Sequence, residues 1–92
     1  MPLRAFSADT IEKALRQVRE GALSCDRPVE QFGGPGEEVP CDVCGRPIKR
    51  DEMEIEAVYS ELGLRRFHVP CMNALVAACE SLHRTSPLKE SP

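Results

Sequence analysis

A chain of 92 residues with no Trp, one Tyr and three Phe makes one small domain with a marginal apolar core. Its formal charge of −3 argues against nucleic acid as a dominant partner, because affinity there comes from neutralising phosphates; a local basic face stays open. No apolar run follows MPLRAFSADT, and the longest one, ALVAAC, is far short of a membrane span, so the expected localisation is cytoplasmic.

Small domains with so few aromatic residues usually need a disulfide, a metal or a partner chain. Five cysteines choose among these. An odd count fits a full disulfide framework poorly, and in a reducing compartment paired cysteines more often bind metal.

Residues 1–21 form the first unit. Within it ADTIEKALRQVRE (8–20) places Ile11, Ala14, Leu15 and Val18 at helical spacing, an amphipathic N-terminal helix. Ser7 and Asp9 are N-cap candidates, Glu12 completes a capping-box pattern with Asp9, and Gly21 is a C′ stop. The stripe must dock on the rest of the chain, on a partner, or on a second copy, so the chain is a monomer or a homodimer through this helix. Residues 22–40, rich in Gly and Pro, have neither helical nor strand period and read as an irregular connection, with Val29 and Phe32 as anchors onto the core.

Residues 41–83 form the main domain. MEIEAVY (53–59) alternates as a half-buried strand, SELG makes a turn in which Gly63 takes positive φ, and LRRFH returns as a second strand with Phe67 inward. Glu54 and Glu56 then face Arg65 or Arg66 across the hairpin. Residues 70–83 read as a helix opened by Pro70, with Met72, Leu75, Val76, Cys79 and Leu82 on its apolar face. Residues 84–92 have little to bury and read as a disordered tail.

The chemistry sits in two half-motifs. CDVCG supplies Cys41 and Cys44; FHVPC supplies His68 and Cys71. Three cysteines and one histidine fit a closed tetrahedral zinc site, one Zn2+ per chain. In a C-x2-C turn the amides after the first cysteine bend round to donate to sulfur, and Gly45 supplies the left-handed residue that follows. A cysteine on the first turn of a helix meets the positive end of the helix dipole, which favours the thiolate a metal requires.

The order C-x2-C turn, β-hairpin, helix with the last two ligands resembles the treble-clef zinc finger, an α+β fold. C-x2-C…H-x2-C is also similar to the first zinc half of a LIM domain; no second pair follows Cys71, so the two-zinc architecture does not carry over. Residues 33–80 further resemble short bacterial proteins of unknown function with a CxxCG…FHxxC core, a resemblance carried by the four ligands, Gly45 and Phe67. It implies a fold and a metal and leaves the activity open.

A thioredoxin-type CxxC would have to open a helix in a βαβ setting, which CDVCGRP does not. Iron is disfavoured by the histidine. Cys79 reads as a small core residue, and Cys25 as a loop cysteine with a spare-ligand or reactive-thiol alternative. His83 suits a helix C-terminus. A closed Cys3His site has no open coordination position, no catalytic constellation stands out, and a nuclease on this fold would need His68 as a base; an enzyme is not expected. The expected function is a zinc-dependent protein-interaction or regulatory module, in keeping with what the LIM-like core implies. The alternative is nucleic-acid binding through Arg46, Lys49, Arg50, Arg65 and Arg66, were the hairpin to gather them.

Overall fold

The computed structural model describes residues 8–84. Five elements follow in chain order: α1 (Ala8–Arg19), β1 (Glu30–Pro35), β2 (Met53–Tyr59), β3 (Gly63–His68) and α2 (Val69–Arg84). The strands form one antiparallel sheet in the order β1-β2-β3. The Ser7 cap candidate and the tail expected beyond Arg84 lie outside the described residues.

β2 shows why the sheet has two unlike faces. Along the strand Ala57 and Tyr59 are buried, and Ile55 pairs with the fully buried Phe67 of β3. Side chains alternate along a strand, so these residues share one face, and it is the face α2 covers with Leu75 and Ala78. The opposite face carries Glu54, Glu56 and Val58, with Phe32 of β1 and Leu64 of β3 exposed beside them. Glu56 stands directly opposite Arg66, the pairing that the hairpin register allows.

α1 lays its apolar stripe against the core rather than leaving it open. Ala14 is fully buried, and Ile11, Leu15 and Val18 pack on the core cluster, mainly against α2. Ala74 and Ala78 of α2 are also fully buried, so small residues on both helices set a close approach. α1 ends in a Schellman motif: Gly21 at φ 83° donates to the Val18 carbonyl at 3.1 Å and Ala22 to the Gln17 carbonyl at 2.9 Å. At its other end Asp9 lies in the first turn, 3.7 Å from Lys13 in an i,i+4 ion pair. On α2 Val76, expected on the apolar face, is 49% exposed.

The stretch 22–40 is not irregular throughout. Residues 30–35 form β1, paired with β2 from Glu30↔Val58 to Pro35↔Met53. The strand has no alternation to read because neither of its faces is covered; backbone bonds to β2 hold it. Val29 and Phe32, expected as core anchors, are 62% and 54% exposed. After β1 the chain turns into a narrow ladder. Glu38 donates to Ile48 O, Ile48 to Val39 O, and Cys41 to Arg46 O, each within 2.9 Å. Gly36 admits this approach, since a Cβ there would lie 2.2 Å from the Lys49 carbonyl oxygen.

Cys25 and Cys79 are joined as a disulfide with a Cα–Cα distance of 5.5 Å. This corrects the expectation of two unconnected thiols. The five cysteines divide into one cystine and three free thiols, which is why the odd count misled. The bond ties the segment after α1 to the far half of α2 across 54 residues of sequence. No helix among the described residues is long and apolar enough to cross a membrane.

Candidate metal centre

The two half-motifs meet at one end of the sheet. The ladder from Gly36 to Lys49 presents Cys41 and Cys44 at its tip. Gly45 takes φ 82° and donates to the Cys41 carbonyl at 2.9 Å, closing the turn. The Val43 amide points at Cys41 Sγ at 3.4 Å, as expected of a C-x2-C turn. Opposite, His68 is the last residue of β3 and Cys71 lies in the first turn of α2. The histidine therefore belongs to the strand end and not to the helix, and the β3–α2 junction is what sets the two ligands apart.

One donor atom from each of Cys41, Cys44, His68 and Cys71 lies within 4.8 Å of every other. His68 Nδ1 is 3.5 Å from Cys44 Sγ and 3.8 Å from Cys71 Sγ. A tetrahedral zinc with metal–sulfur bonds near 2.3 Å and a metal–nitrogen bond near 2.0 Å has S···N edges of about 3.5 Å. The observed edges lie at that value and 0.3 Å above it, so the donors are positioned to hold a metal ion of this size. Cys41, His68 and Cys71 are buried and Cys44 is half-buried, which keeps bulk water from competing for the ion.

The histidine has a defined tautomer. Its outer nitrogen Nε2 faces two acceptors, the Pro47 carbonyl at 3.2 Å and Glu52 Oε1 at 3.3 Å. That assigns the proton to Nε2 and leaves the Nδ1 lone pair directed at the sulfurs. The Lys49 amide donates to the same Glu52 carboxylate at 2.9 Å and holds it below the usual carboxylate range. Outer partners of this kind fix ring orientation and raise ligand basicity.

Charge is arranged for a metal as well. A hydrogen bond from Cys71 holds Cys41 down at about 4, so Cys41 is a thiolate at neutral pH. Cys71 is pushed far up by that same hydrogen bond, by burial and by the charges on Cys41 and Cys44. One proton is thus shared among buried sulfurs that a cation would otherwise satisfy. Arg46 sits against the Cys44 sulfur, which raises the guanidinium above its ordinary value.

Two side chains lock the turn to the body of the protein. Gln17 of α1 donates to the Asp42 carbonyl at 3.0 Å. Asp42 closes a two-bond ring with β3: its amide donates to Arg66 O at 2.8 Å and its carboxylate accepts the Arg66 amide at 2.7 Å. Pro47, Glu52, Gln17 and Asp42 were not singled out from the sequence. Glu52 and Gln17 are distant from the motifs they serve, and Asp42 occupies an x position of C-x2-C, where residue type is not constrained by the metal.

The basic residues fall on different surfaces. Arg65 and Arg66 are adjacent on β3 and project to opposite faces. Arg65 is bonded to the carbonyls of Ala22, Leu62 and Leu64. Arg66 sits 3.3 Å from Glu54 and 3.5 Å from Glu56. Arg46 and Lys49 line a cavity of about 650 Å³ beside His68, shared with Glu52, Met53 and Pro70, and Arg50 is exposed on the turn that follows. A comparison of the chain with protein-family models, curated proteins and solved structures finds no match to any of them.

Proposed function

We propose that this chain is a zinc-binding protein of treble-clef type, with one structural Zn2+ per chain held by Cys41, Cys44, His68 and Cys71, and that it acts as a protein-interaction module. The observation that carries the metal is the inward Nδ1 of His68, fixed by Pro47 O at 3.2 Å and set 3.5 Å from Cys44 Sγ. Three thiolates and an imidazole are a donor set suited to zinc. Four protein ligands fill a tetrahedron, so the ion has no position for a substrate, and the role is structural and not enzymatic. Zinc in a small domain of this kind is worth on the order of 10 kcal/mol of folding free energy.

The interaction reading is supported by the resemblance to LIM-type and short bacterial CxxC…HxxC proteins, and by the open face of the sheet, where Phe32 and Leu64 are exposed. The nucleic-acid alternative has less support, because Arg65 and Arg66 are spent on carbonyls and glutamates. The cytoplasmic reading carries a condition: in a reducing compartment Cys25 and Cys79 would persist as a dithiol.

Native mass spectrometry and metal analysis of the purified protein test the metal. The expected result is one zinc in the native chain and none in Cys44→Ser. Capture from host lysate with these two proteins, with and without nuclease, tests the role. Partners that survive nuclease and vanish with Cys44→Ser support the protein-interaction module; partners lost to nuclease would replace it with nucleic-acid binding.

A further inference from the structure

The two edges of the sheet are treated differently. Three of β3's outward groups are occupied: Asp42 takes both the N–H and the C=O of Arg66, and the Arg65 guanidinium takes Leu64 O at 2.9 Å. β1 is the other edge. Gly36 donates to Glu52 O in register with the ladder, so the even-numbered residues of β1 turn their backbone toward β2. The N–H and C=O of Gln31 and Gly33 therefore face away from the sheet, on a strand exposed at five of its six positions. Pro35 adds a C=O and has no N–H to leave unmet.

We propose that β1 docks an extended, basic segment of another protein, which adds antiparallel to it as a fourth strand. This rests on the interaction-module reading and names the surface and the partner's chemistry. The register dictates what the partner presents. Its residues opposite Gly34, Phe32 and Glu30 point to the face that carries Glu54 and Glu56. Beside β1 on that face lies a cavity of about 120 Å³, lined by Phe32, Gly34, Glu37, Glu54 and Glu56. The missing side chain of Gly34 leaves the way into it open. Arg66 is the cation paired to Glu54 and Glu56; with Glu30 and Glu37 nearby the patch stays acidic. Glu54 is buried and accepts the Glu37 amide at 3.1 Å, so a Lys or Arg opposite Gly34 meets the Glu56 and Glu37 carboxylates, an apolar residue opposite Phe32 covers its ring, and a second basic residue meets Glu30. In the partner's own direction the pattern is basic-x-apolar-x-basic. A second copy of this chain is a poorer occupant, because self-pairing would bring Glu30 and its neighbours against their own kind. Backbone bonds supply affinity and alternate side chains supply selectivity in this mode of recognition.

The test uses the zinc-loaded full chain and a fluorescein-labelled peptide built on Lys-Thr-Val-Thr-Lys, read by anisotropy. Saturable binding is expected, with no binding of the Glu-Thr-Val-Thr-Glu counterpart. Gln31→Pro removes an N–H that faces the peptide and none that bonds β2, a substitution an edge strand accepts. It should weaken binding about 10-fold with zinc content and far-UV spectrum unchanged. Glu56→Gln should weaken it several-fold and flatten its salt dependence. Equal binding by Gln31→Pro, binding of the Glu peptide, or no binding of the Lys peptide overturns the proposal. So does a concentration-dependent dimer abolished by Gln31→Pro, which would make a second copy the occupant. A lysate partner retained by Gln31→Pro would overturn the edge and leave the interaction reading standing; no partner for the native chain would remove that reading itself.

Discussion

His68 shows how much a single residue's surroundings decide. Two acceptors, Pro47 O and Glu52 Oε1, hold its Nε2 proton, and that leaves the Nδ1 lone pair free to meet a metal. Glu52→Gln removes the charged acceptor and should lower zinc affinity on the order of 10-fold, measured by competition with a chromogenic chelator. Cys71 makes a second prediction. Its pKa in the metal-free chain is raised, chiefly by the hydrogen bond to Cys41, so it is protonated at neutral pH. Zinc binding must expel that proton. Calorimetry at pH 7 in buffers of differing ionisation enthalpy should report release of roughly one or more protons per metal, and affinity should fall as pH falls. Cys41, already ionised at about 4, contributes no such release above pH 5 or so. Gly36 is the third case: Gly36→Ala would drive a Cβ to 2.2 Å from Lys49 O, and thermal unfolding should show a loss of about 1–3 kcal/mol. The grouping of Cys41, Cys44, His68 and Cys71 was legible in the sequence because a C-x2-C turn and an H-x2-C junction are local. Which nitrogen of His68 faces inward was not, because the deciding carbonyl and carboxylate lie 21 and 16 positions away in the chain.

At the scale of elements, legibility followed burial. MEIEAVY alternates because one of its faces packs under α2 and the other does not. EQFGGP is a strand with no such asymmetry, so no periodicity marks it, and its ordering depends on a partner strand some twenty residues later. The α1 stripe was readable, while its choice of α2 over a partner depended on alanines whose closeness appears only in three dimensions. The cystine left no trace in spacing, since Cys25 and Cys79 are 54 residues apart. A loop of that length makes the bond worth about 4 kcal/mol in the chain-entropy account, and measured values for native bonds run near 2–5 kcal/mol. Cys25→Ser should therefore lower stability to denaturant by about 2–4 kcal/mol with the zinc content unchanged.

For the whole molecule, two staples act on different parts. A metal bound at the Cys41, Cys44, His68 and Cys71 cluster would hold the ladder to the β3–α2 junction; the cystine holds the segment after α1 to the far half of α2. The loop closed by the cystine contains all four residues of the cluster, yet the two sites clamp different contacts, so their losses should separate. A strong chelator applied to the oxidised protein should melt the ladder and leave helical signal from α1 and α2. The same chelator after reduction should abolish the helical signal too. A single cooperative loss on chelation alone, followed by far-UV circular dichroism, would show that the metal supports both helices unaided.

Asp42 has one further consequence. Its two bonds to Arg66 make the Cys41–Cys44 turn behave as the last member of the sheet, and growth on that side stops there. A sheet with a single extensible side cannot propagate. Whatever adds to β1 is the end of the array: two copies could join only about a two-fold axis, and a head-to-tail fibre built through strand pairing has no second attachment point. The turn that carries Cys41 and Cys44 thus sets a limit on stoichiometry, and breaking Asp42's two bonds would release that limit by freeing β3.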